Sequence, residues 1–168
     1  MNHILETFKI KSGEERISAL LVGLMLITAA GGTIGGIATE ALFFARFGVE
    51  FLPNMYVILG LFTFVTSMAI TVIMGRFSKQ KLFIALPLII GFALIAERVI
   101  LLLNVKWFFA AMWLGMNVIN GLQGLFTWGL ASAACVTRQS KRLFPLFSAG
   151  GILGTVLGGL LTQPLARW

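Results

Sequence analysis

Residues 137–159 read TRQSKRLFPLFSAGGILGTVLGG, and the fold turns on what that stretch is. Three cations, Arg138, Lys141 and Arg142, run straight into an apolar segment with a glycine at nearly every helical turn. A phosphate-cradling loop would need a glycine-rich turn after a strand and a Gly-Lys-Ser/Thr triplet, and neither is present. Gly150, Gly154 and Gly158 instead recur at i, i+4 and i+8, with Gly151 and Gly159 beside them, which draws one strip along a helix. Without side chains on that strip a second helix can come close and gain van der Waals contact, the main source of helix association in lipid. The stretch therefore reads as a basic loop at 138–142 and a helix that enters a membrane from Leu143.

The rest of the composition agrees. The chain has 168 residues, 58% of them hydrophobic and only 11% charged, with a mean hydropathy of +0.97. Soluble domains carry roughly 25% charged residues, so this chain lacks the polar cover that a water-soluble surface of its size needs. The net charge of +7 does not point to nucleic acid, because the cations fall in short clusters between apolar runs and not along one polar face. There is no Asp, His3 is the lone histidine and Cys135 the lone cysteine. That excludes an internal disulfide, a zinc-type ligand set and a Cys/His nucleophile pair, so no metal, cofactor or enzymatic activity is expected.

Five apolar runs are long enough for a hydrocarbon core of about 30 Å, which takes about 20 helical residues. They cover approximately 17–47, 53–74, 82–103, 107–136 and 143–165. They are continuous and do not alternate with period two, so the predicted fold class is an all-α integral membrane protein of five helices. Residues 1–16 form a cytoplasmic or interfacial segment before a helical membrane domain at 17–168. Ser12-Gly13-Glu14-Glu15 fits a capping box for the first helix, and Pro53 and Pro145 suit first-turn positions. The first run continues unbroken past Thr28-Ala29-Ala30, which favours a retained helix over a cleaved leader.

Cations set the orientation. Lys9, Lys11 and Arg16 precede the first run; Arg76, Lys79 and Lys81 join the second to the third; Arg138, Lys141 and Arg142 join the fourth to the fifth. These segments alternate onto one side, against Arg46, Lys106 and Arg167 on the other. The N-terminus is expected in the cytoplasm and the C-terminus outside, in the cell (inner) membrane, with membrane lipids as the surrounding partner.

Polar residues within the runs are the candidate functional groups. Thr28, Gly32, Gly35, Thr39 and Arg46 share one face of the first helix, with Gly32 and Gly35 read as packing positions. Trp113, Asn117, Asn120, Gly124 and Thr127 share a face of the fourth, with Gln123 at its edge. Carboxamides and hydroxyls facing lipid would lack partners, so these face protein or water, as interhelical hydrogen bonds or as the lining of a solvated path. Glu40, Glu97 and Arg98 are charges at membrane depth, where each costs roughly 2.5–3.5 kcal/mol on insertion scales. A Glu40–Arg98 pair is expected, structural or gating in role.

These residues resemble a family. The basic loops after the second and fourth helices are similar to those of a major facilitator superfamily N-terminal half. MGRFSKQKLF (74–83) is a degenerate form of that superfamily's Gly-x-x-x-Asp-Arg-x-Gly-Arg-Arg loop, lacking the Asp and the second Gly. EALFFARFGVEFLPNMYV (40–57) and SKRLFPLFSAGGILGTVLGG (140–159) look like the ATP/ADP translocase, or nucleotide transporter, branch. That branch carries a basic residue beside an acidic one in the first helix, where this chain has Thr39 and Glu40. What carries over is the fold and a transporter-like relation. The resemblance implies an incomplete N-terminal bundle working by alternating access on an anionic metabolite or nucleotide, together with a missing C-terminal half or partner membrane subunits. The other expectation is a non-transporting, transporter-derived subunit that scaffolds or senses within a larger membrane complex.

Overall fold

The computed structural model describes residues 14–76, 78–102 and 105–165. Five α-helices account for nearly all of them: α1, Glu15–Phe47; α2, Leu52–Arg76; α3, Lys79–Leu101; α4, Lys106–Ala134; and α5, Thr137–Leu165. A 3-10 turn, Val49–Phe51, joins α1 to α2. Its lead residue, Gly48, has φ 85°, a left-handed backbone that a Cβ disfavours. The Gly48 N–H donates to the Phe44 carbonyl at 3.0 Å, closing the last turn of α1.

Four of the helical stretches are long and apolar enough to cross a membrane: Glu15–Phe47, Val49–Ile73, Lys81–Leu101 and Arg138–Leu165. The fourth helix, α4, has the length, 29 residues. It falls short in hydropathy because Asn117, Asn120 and Gln123 dilute its middle. The expected capping box and the N-terminal segment lie outside the described residues except for 14–16.

Three expectations about helix ends are corrected. α5 starts at Thr137, so Arg138, Lys141 and Arg142 occupy its first two turns and the connection from α4 is only Cys135–Val136. Likewise α3 starts at Lys79, placing Lys79 and Lys81 in its first turn. Lys and Arg are good helix formers, and nothing between 137 and 144 breaks a helix, so charge alone did not mark a loop. Pro145 is consequently the ninth residue of α5 and lies inside it, as Pro87 lies inside α3. Only Pro53, second residue of α2, sits in a first turn.

The chain forms two compact units, residues 1–35 with 125–168 and residues 36–124. In the first, α1 and α5 meet along the glycine strip. A Cβ on Gly150 would stand 3.0 Å from the Val22 carbonyl oxygen and one on Gly158 2.6 Å from that of Ala30, while one on Gly154 would collide with the Leu26 carbonyl. These contacts share one offset: 150 − 22, 154 − 26 and 158 − 30 are each 128. The Glu14–Arg142 ion pair, at 3.0 Å, has the same offset. A constant offset means that α1 and α5 run in the same direction. It persists over about four turns, roughly 24 Å at 1.5 Å per residue, so the axes stay nearly parallel, as in shallow-angle packing. Leu21, Met25, Ala131, Leu143 and Phe147 form the buried core beside this seam.

The second unit is built on aromatic side chains. Phe43, with no exposed surface, packs with Met55 and Trp113. Its ring stacks on Phe47 at 5.1 Å and lies 5.7 Å from Trp113, which meets Tyr56 edge-on at 5.5 Å.

Replacing Gly154 by Ala should lower thermal stability in detergent by roughly 1–3 kcal/mol, since the obstacle is backbone and does not yield. Gly151, with nothing within 4 Å of an added Cβ, should accept Ala with no loss. Equal melting shifts for the two variants would contradict the seam.

Candidate functional site

Hydroxyl groups on these helices bond to their own backbone. Thr28, Thr33, Thr39, Thr66, Thr71, Thr155 and Thr162 each donate to a carbonyl three or four residues earlier, at 2.7–3.1 Å. Of these, Thr71 and Thr155 are exposed and Thr66 half-buried on otherwise apolar surface, and each has its donor satisfied without water. Asn117 does the same: it is exposed, and its amide donates to the Trp113 carbonyl at 2.8 Å.

The second unit seats two polar heads over glycines of adjoining helices. The Asn120 amide nitrogen on α4 lies 3.7 Å from where a Cβ on Gly36 of α1 would be. A carboxylate oxygen of Glu97, on α3, lies 2.5 Å from the corresponding point on Gly115 of α4. Thr39 is buried on α1, and Glu40, Glu97, Asn120 and Gln123 are half-buried. Polar groups from α1, α3 and α4 are thus gathered in one unit, with Gly115 making the room for Glu97. Thr127, buried, belongs to the other unit.

The expected Glu40–Arg98 pair is not formed: among the described residues neither side chain bonds the other. α3 stops at Leu101, so Arg98 lies in its last turn and is exposed. There a long side chain can carry its charge toward an interface and beside the helix's negative end, which removes the need for a buried counter-ion. The neighbouring Glu97 instead turns to α4. Gly124 has nothing within 4 Å of an added Cβ.

A polar cluster in the first unit escaped sequence reasoning. Glu14 accepts two hydrogen bonds from Arg142, at 3.2 and 3.0 Å, and one from the Gln139 amide at 2.8 Å. Gln139 in turn accepts the Val136 N–H at 2.9 Å. Cations in the first turns of α5 oppose its dipole, and the Glu14 carboxylate offsets that. Beside the cluster lies a cavity of about 80 Å³ lined by Glu14, Ile17, Ser18, Ala134, Cys135, Gln139 and Leu143. The Ser18 hydroxyl is buried there with no hydrogen-bond partner among the described residues. Burial, and then the Glu14 carboxylate, push the Cys135 thiol above its ordinary range, leaving it a poor nucleophile. The available signal was an acidic residue on the same predicted face as the 138–142 cations. Among the described residues no group of three or more His, Cys, Asp or Glu side chains is placed to hold a metal ion.

Compared with known proteins, the chain matches no family model, no curated sequence and no solved structure.

Gly115→Ala should displace the flexible Glu97 carboxylate from its seat at little cost in stability, unlike the backbone clash at Gly154. Carbodiimide labelling of Glu97, followed by mass spectrometry, should rise in that variant. Unchanged labelling would show that Gly115 does not seat Glu97.

Proposed function

We propose that the chain is an integral protein of the inner (cell) membrane, with its N-terminus cytoplasmic, and that it forms the N-terminal part of a secondary-transporter-like protein of major-facilitator type. It works by alternating access together with further helices, on an anionic metabolite or nucleotide. Glu40, Glu97, Asn120 and Gln123 belong to the path or its gates, and the cations at 76–81 and 138–142 hold the inner face against anionic headgroups. Arg98 and Asn117, both exposed, serve this reading at the rim of the path.

The observation that carries it is the pairing of polar heads with glycines in the second unit. Apolar helices that need only to pack would fill those gaps with side-chain volume. Here, Glu97 occupies the gap at Gly115, and Asn120 touches the Gly36 position, with groups that can exchange partners. The self-satisfied threonines support the membrane setting, since a surface facing water has no need to hide its hydroxyls.

A second reading, a transporter-derived subunit that scaffolds or senses in a membrane complex, is favoured by α2. Over the spanning stretch Val49–Ile73 the side chains are exposed or half-buried apart from Met55, which leaves most of that helix's surface for lipid or for partner chains.

The protein should be isolated from its native membrane with whatever partners it holds, and reconstituted in liposomes. Labelled nucleotides and phosphorylated metabolites should accumulate above empty vesicles. Asn120→Ala should lower the rate roughly tenfold, the effect of one lost buried polar contact of about 1.4 kcal/mol. No uptake of any anion, with a second membrane protein co-purifying at fixed stoichiometry, would favour the subunit instead.

A further inference from the structure

Two cations at one end of the second unit are held on aromatic rings in a reciprocal exchange. The guanidinium of Arg46, near the end of α1, lies 5.0 Å from the ring centroid of Phe109 on α4. The ammonium of Lys106, first residue of α4, lies 5.6 Å from the ring centroid of Phe47 on α1. Each helix supplies the cation for the other's ring, so both positive charges are fixed at the same end of the pair.

An exposed apolar collar surrounds them. Phe47 is 6.1 Å from both Phe51 and Trp107. Trp107 is 79% exposed, and Val49, Phe51 and Val105 are also exposed. Nearby along the chain, the acid Glu50 is folded back on Gly48, its carboxylate oxygen 3.1 Å from where a Cβ would stand. A ring face orients a cation, for about 0.5–1 kcal/mol at exposed sites. Two oriented cations inside a collar of Trp, Phe and Val combine charge for a phosphate with apolar surface for acyl chains, and Trp favours that polar–apolar boundary.

We propose that this end binds the phosphate of an anionic lipid headgroup, with Arg46 and Lys106 as its ligands and Trp107 and Phe51 against the first methylenes of the acyl chains. The proposal rests on the membrane reading above and adds a specific headgroup site to it. It assigns these two cations a role that their small share in the orientation of the chain does not explain.

The whole chain is placed in bilayers of equal parts phosphatidylcholine and phosphatidylglycerol, with bromine on the acyl chains of one lipid or the other. The readout is quenching of Trp107, taken as the emission lost in Trp107→Phe. Brominated phosphatidylglycerol should quench in preference, by roughly fivefold for each cation. Arg46→Gln with Lys106→Gln should level the two lipids, and Arg46→Lys with Lys106→Arg should keep the preference. Equal quenching by both lipids in the unaltered protein overturns the headgroup site while leaving the chain in the membrane. Absence of quenching by either overturns the membrane reading itself. Loss of the preference on adding inorganic phosphate assigns the site to a soluble anion and overturns the lipid.

Discussion

The close approach of α1 and α5 in the first unit is the contact on which that unit's other features depend. Backbone meets backbone at Gly150, Gly154 and Gly158, opposite Val22, Leu26 and Ala30. Between helix backbones this close, dispersion at short range is the attraction that the glycines make available. It is steep in distance, so one added methyl group is felt. The single offset of 128 residues extends from this strip to the Glu14–Arg142 pair, and the polar latch and the glycine seam are therefore one register. That register also brings Cys135 and Ser18 to the same cavity and fixes the direction in which α5 leaves it.

Glycines do a different job in the second unit. Gly115 accepts a carboxylate, and Gly36 lies in ordinary contact with an amide, where the first unit's strip accepts a neighbouring backbone. The difference decides what each unit can do. A backbone-on-backbone seam has one well-packed arrangement and resists change. A polar head over a glycine notch can leave and return, because the obstacle is the end of a flexible side chain. Functional groups are therefore to be sought in the second unit, and rigidity in the first.

Much of this was legible in the sequence because it is periodic. The strip at 150, 154 and 158 announces a helix and its packing face from the 100° step between residues alone. The stripe from Trp113 to Thr127 announces a helix but not one shared face, since Asn117 is exposed and Thr127 buried. Helix ends were less legible. Arg138, Lys141 and Arg142 looked like a loop because they are charged, yet they are good helix formers and sit in the first turns of α5. The Glu40–Arg98 expectation failed for a related reason: placing Arg98 at depth required α3 to run further than Leu101. Glu14 with Arg142 was invisible because the two lie 128 residues apart and no local pattern links them. The α1/α4 exchange of cations and rings was hidden likewise, for it depends on which helix end lies beside which.

The central claim is that these apolar helices cross a bilayer and alternate in direction, turning their few polar groups toward one another. Lys81, in the first turn of α3, and Lys106, at the start of α4, then lie on opposite sides of it. In a Cys135→Ser background, Lys81→Cys and Lys106→Cys are treated on intact cells with a membrane-impermeant maleimide. Labelling of Lys106→Cys from outside, with Lys81→Cys labelled only after permeabilisation, is the predicted result. Labelling of both from the same side would contradict it.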